Sequence, residues 1–195
     1  CNNNLDKGRL PELINFTPTL KAHGGLQMKE KNEFNLGLKN IWEVVCYDSS
    51  GAEKWREKNK NLVTTEGLNH VLSITLDGGT QITAWYVGLA GAGTKAAGDT
   101  MSSHSGWAVV ADYSESVRQT LTLGTASSGS IDNTSNKAVF SINGTATVAG
   151  AFITSSNTKS GTTGTLYGAV DFSSSRSVIS GDTLTVTVTL TAASA

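Results

Sequence analysis

The sequence predicts a mainly β protein: an antiparallel β-sandwich, immunoglobulin-like or jelly-roll in arrangement, with one short helix and an extended N-terminal arm. The composition points there first. Gly supplies 21 of 195 residues and Pro only 2, and charged residues make up 16 %, well under the roughly 25 % usual for globular chains. Second, everything after Gly79 reads as β-forming runs separated by Gly, Ser, Asn and Asp clusters. Third, the last run, DTLTVTVTLTA, sets Leu184, Val186, Val188 and Leu190 on one face and Thr185, Thr187, Thr189 and Thr191 on the other.

The elements follow in chain order. Residues 1–40 contain both prolines and scatter apolar residues without a sustained period. The segment lacks the pattern to fold alone, yet carries Leu10, Leu13, Ile14, Phe16, Leu20, Leu26, Phe34 and Leu36, so it reads as an arm that orders on a partner through these anchors. A hairpin is expected over 41–63, with IWEVVCYD and KWREKNKNLV joined through SSGAEK. Over 64–76 the period changes: Leu68, Val71, Leu72 and Leu76 recur at helical spacing after Thr64 or Thr65, either of which can cap. This predicts one amphipathic helix with His70 on its polar side. Sandwich strands fill 81–192, beginning with QITAWYVGLA, whose nearly continuous apolar character suits a strand covered on both faces.

A chain of this length supports one core, or a core and an arm. The net charge of −1 argues against a nucleic-acid partner, whose footprint is a strongly basic face. No apolar run is long enough to span a bilayer, and no signal peptide is recognisable. A membrane enters only if Cys1, followed by three Asn as in a processed lipoprotein, is acylated; loss of an initiator Met before a small residue is the preferred alternative. Cys46 sits in an apolar run, so no disulfide framework is expected.

The stretch GDTMSSHSGW, residues 98–107, gathers the residue types of nucleophilic catalysis. A triad is defined by geometry, however, and the chain lacks the G-x-S-x-G elbow of a serine hydrolase. The expected role is a structural corner: Asp99 caps a short helical turn from Thr100 to His104, His104 bonds a neighbouring backbone group or Asp99, and Trp107 anchors the corner in the core. Neither the scattered His23, His70 and His104 nor the isolated acids of the second half have the spacing of a zinc or calcium site. GLAGAGTKAAG lacks the phosphate-loop pattern. Paired carboxylates from distant strands stay open as a glycosidase reading, against which the aromatic residues all lie in core-like runs. No catalytic, metal or cofactor site is therefore assigned.

Taken together, NLVTTEGLNHVLSITL, ITAWYVGLA, GDTMSSHSGW, YSESVR, GAFITSS, GTLYGAVDF and RSVISGDTLTVTVTLT resemble a family of structural proteins from tailed bacteriophages, over roughly residues 61–191. The resemblance implies a virion protein on the outer surface of the head that decorates and cements the capsid. Its partner would be the major capsid protein or another virion protein, bound through the arm and a sheet edge, and it would form a homo-oligomer, a dimer or trimer. A neck, tail or fibre component is the alternative within the virion. From a different class, the rival is a secreted or lipid-anchored adhesion or carbohydrate-binding module.

Overall fold

A computed structural model describes residues 36–60 and 62–194. In chain order the elements are β1 (Leu36–Tyr47), β2 (Glu53–Lys60), β3 (Leu62–Val63), α1 (Thr65–Leu76), β4 (Tyr86–Ala90), β5 (Val109–Val110), β6 (Gln119–Thr120), β7 (Ser130–Asp132), β8 (Ala138–Ser141), β9 (Ala146–Thr154), β10 (Leu166–Val178) and β11 (Thr183–Ser194). They form two antiparallel sheets. The first runs β2-β1-β11, with β7 and β8 pairing successive segments of β11. The second runs β3-β10-β9-β4, with β5 and β6 pairing the two ends of β4.

The core lies between the sheets. On β1, Trp42, Val44 and Cys46 are buried and stand opposite Val188, Val186 and Leu184 of β11. Facing them from the second sheet are Val87, Leu89, Ala151, Ile153, Val170 and Phe172. The threonines of β11 fall on the outer face, as the alternation requires. Burial pushes the Cys46 thiol up to about 11, assisted by the nearby Asp182 carboxylate, so it stays an inert core thiol at neutral pH.

The β1–β2 turn follows from local chemistry. Asp48 Oδ1 accepts hydrogen bonds from Ser50 N and Oγ and from Ala52 N, while Gly51 adopts a φ of +85°. The expected second run then divides. Glu53–Lys60 stays in the first sheet, whereas Leu62–Val63 pairs with β10 in the second. Strand β1 also begins at Leu36, five residues before the expected start of the hairpin at residue 41. Leu36, predicted as an arm anchor, pairs instead with Ser194 within the first sheet.

Helix α1 has the predicted limits, with Thr64 as N-cap accepting from Gly67 N at 3.1 Å. Its orientation differs from expectation. Leu68, Leu72 and Leu76 are 41, 53 and 79 % exposed, and the inward stripe is Gly67, His70, Val71 and Ile74. Gly67 decides this, because a Cβ there would lie 2.2 Å from the Tyr167 carbonyl oxygen. The helix therefore lies backbone against backbone on β10 at that point. His70 consequently leaves the polar side and packs edge-on against Trp85 at 5.4 Å.

Candidate functional site

The polar cluster singled out in the sequence lies on the outer face of the second sheet. Ala90, Phe152, Leu166 and Ala169 form a second apolar patch there, and Met101 and Trp107 cover it. Both covering residues are buried, at 0 and 5 % exposure. Segment 91–107 thus folds back over the sheet. Gly93, at φ +119°, meets the Gly106 carbonyl where no side chain would fit.

Two polar groups, the buried Lys95 and the half-buried Asp99, fix this cover. Lys95 Nζ donates to the Gly91 and Gly93 carbonyls at 3.0 Å each and pairs with Asp171 Oδ1 at 2.9 Å. All three ammonium protons are thereby satisfied, as a buried cation requires. Asp99 Oδ2 accepts from Ala96 N at 2.9 Å and from Trp107 Nε1 at 2.8 Å. Asp99 is accordingly no helix cap. Residues 100–103 form a tight turn closed by Thr100 N to Ser103 O, and Asp99 reaches backward to Ala96 and forward to the indole.

His104 stacks on Trp107 with centroids 4.1 Å apart, and its Nδ1 donates to the Trp107 carbonyl at 3.0 Å. Ser102 Oγ bonds Thr100 Oγ1 at 3.2 Å. A serine hydrolase requires its acid on the histidine and its histidine on the serine. Here the acid holds a tryptophan and the histidine holds a carbonyl. The chemistry available to this geometry is positioning: it locks Trp107 against Phe152, 5.2 Å away.

Other buried charges escaped the sequence reading. Glu57 (4 % exposed) of β2 receives Ser173 N at 3.1 Å, Ser173 Oγ at 2.8 Å, Asn59 Nδ2 at 3.1 Å and Arg176 Nε at 2.7 Å. It ties the first sheet to β10 of the second. Burial pushes its carboxyl upward, but the Ser173 N–H, Arg176, the Ser173 hydroxyl and Asn59 together hold it below the usual carboxylate range. Arg118 (1 % exposed) donates to the Ser156 and Gly161 carbonyls and lies 5.0 Å over the Phe152 ring, which pins the 156–161 loop. Burial lowers its pKa from the ordinary arginine value. These partners are backbone carbonyls and distant strands, so no local spacing could reveal them.

The remaining candidate surface is apolar. Two adjoining cavities of about 90 and 290 Å³ open between the sheets, sharing Tyr167 and Leu190. The smaller is lined by Trp85, Leu121 and Leu123, the larger by Leu38 and Ile131. Of the predicted arm anchors, Leu10, Leu13, Ile14, Phe16, Leu20, Leu26 and Phe34 lie outside the described residues. Among the described residues, no group of three or more His, Cys, Asp or Glu side chains is arranged to hold a metal, and no helix is long and apolar enough to cross a membrane. No protein-family model matches the chain, and no curated protein matches it.

Proposed function

We propose that this chain is a structural protein of a tailed-phage virion, decorating the head and stabilising it by binding neighbouring capsid subunits through its arm and a sheet edge. The resemblance of ITAWYVGLA, GDTMSSHSGW and GDTLTVTVT to phage virion proteins supports the virion assignment. The observation that carries the binding role is the apolar surface left outside the core. A groove runs between the sheets at Leu38, Ile131, Tyr167 and Leu190, while the polar residues of the 98–107 corner are engaged in internal bonds. Apolar concavities of this kind receive side chains from a partner surface.

Head decoration and a neck, tail or fibre position call for the same scaffold and differ in copy number. Quantitative mass spectrometry of particles produced by a phage carrying this gene separates them. Hundreds of copies per particle are expected. A count of six or twelve moves the chain to the neck or tail, and its absence from purified particles overturns the proposal.

A further inference from the structure

We propose that Asn143–Gly144 is a site of spontaneous covalent modification: the Asn143 side chain closes onto the following backbone nitrogen, gives up its amide as ammonia, and is left as a mixture of isoaspartate and aspartate. The site is a property of the fold and stands whether or not the chain decorates a capsid.

Ring closure asks three things of an asparagine. The side chain must be free to turn back on its own backbone, the next N–H must be uncommitted, and the next residue must leave the approach open. Asn143–Gly144 is the single Asn–Gly pair in the sequence, and glycine has no Cβ to block the approach and wide freedom in φ and ψ. The pair lies where the chain crosses from β8 in the first sheet to β9 in the second, and Asn143 is exposed. Its backbone N–H donates to the Asp112 carbonyl at 3.2 Å. Among the described residues, no hydrogen bond engages its side-chain amide or the Gly144 N–H.

The other described asparagines each miss a requirement. Asn133 is 1 % exposed, and its side chain donates to the Val186 carbonyl and accepts from Val188 N. Asn40 is buried, and the Asn59 amide is engaged by Glu57. Asn69 lies inside α1, where the next N–H belongs to the helix ladder. Asn136 and Asn157 are exposed, but Lys137 and Thr158 follow them, each with a Cβ in the way.

In the reaction, hydroxide takes the Gly144 N–H proton and the nitrogen forms a bond to Cγ of Asn143. The Cγ–Nδ2 bond breaks, and Nδ2 leaves as ammonia with a proton from water. Water then opens the five-membered ring. Cleavage between the ring nitrogen and Cγ leaves aspartate, whereas cleavage between that nitrogen and the original backbone carbonyl carbon leaves isoaspartate, in which the chain runs through Cβ and Cγ. Nothing is oxidised or reduced, and each event adds one negative charge. The new carboxylate arises beside Asp112, whose Oδ1 lies 3.1 Å from where a Gly144 Cβ would stand. The isoaspartate form also adds a backbone atom next to Ile142, which is 3 % exposed and bonded to the Asp182 and Gly181 backbones.

The test incubates the full chain in mildly alkaline buffer and follows it by peptide mapping with mass spectrometry. Asn143 should lose its amide at least about tenfold faster than Asn136 or Asn157. The loss should slow in mildly acidic buffer, where hydroxide is scarcer. Asn143→Gln, which closes no five-membered ring, should abolish the accompanying shift to later elution on anion exchange. A parallel sample unfolded in guanidinium separates the effect of the fold from that of the dipeptide. Folded chain that keeps the Asn143 amide while unfolded chain loses it overturns the proposal, as does earlier loss at Asn136 or Asn157, or an unchanged elution shift in Asn143→Gln.

Discussion

The first sheet leaves the outer face of β11 as a column of threonines, Thr183 to Thr191, while the second sheet has both faces covered, one by the core and one by Met101 and Trp107. The same backbone ladder therefore carries two kinds of strand. Where one face meets water, alternation is strict and a substitution on that face touches little. Where both faces are covered, the run is continuously apolar, and the cover itself needs anchors. Lys95, Asp99 and Trp107 are those anchors, and the contrast explains why residues that look catalytic in sequence sit over a sheet.

The largest expected effect follows from removing the cover. Trp107→Ala should destabilise by about 3–5 kcal/mol, since it deletes a buried aromatic that also satisfies Asp99. Denaturant unfolding measures this. A loss below about 1 kcal/mol would mean the second sheet does not depend on its cover.

Next comes the tie between the sheets. Glu57→Ala should cost about 2–3 kcal/mol, because Ser173 N and the Arg176 guanidinium lose a charged acceptor. The same residue gives a pH dependence. Its folded pKa lies below the ordinary value of 4.5, so its contribution is complete above that value and is lost as the pH falls through the folded pKa. Stability should therefore decline on acidification below about pH 4.5, and Glu57→Gln should flatten that decline. An identical acid slope in the variant would remove Glu57 as the cause.

Smaller effects sharpen the comparison. Thr64→Ala should cost about 1–2 kcal/mol through the lost cap and its bond to the Leu166 carbonyl. On the open face of the first sheet, Thr187→Val should stay within about 0.5 kcal/mol of the parent. A Thr187 effect as large as that of Thr64 would show that the outer face of the first sheet is less open than it looks.

Much of this was legible in the sequence, for identifiable reasons. The alternation of β11 marked its buried and outer faces, and Thr64 or Thr65 marked where α1 begins, whereas of the run QITAWYVGLA only Tyr86–Ala90 is a strand and residues 81–85 lie outside any strand. What stayed hidden was decided by contacts distant in the chain. The leucines of α1 pointed inward by pattern, yet Gly67 turned the helix over by its fit to the Tyr167 carbonyl, a hundred residues away. Strand β7 was concealed in a polar run because Ser128 and Gly129, at φ 50° and 72°, make a hairpin turn that delivers Ile131 to Leu190. At the corner, Trp107 was legible as an anchor, whereas Asp99 was not. Capping grammar points an aspartate forward to the next turn, and this one is engaged by Ala96 N and an indole.

The central claim is that the polar residues of GDTMSSHSGW hold a scaffold together. Thermal unfolding of Asp99→Ala beside Ser102→Ala tests it most directly. Asp99 anchors a backbone N–H and a buried indole, whereas Ser102 is exposed and bonds only Thr100. The expected result is a fall in Tm of about 5–10 °C for Asp99→Ala and about 1 °C or less for Ser102→Ala. An Asp99→Ala protein that melts with the parent would contradict it.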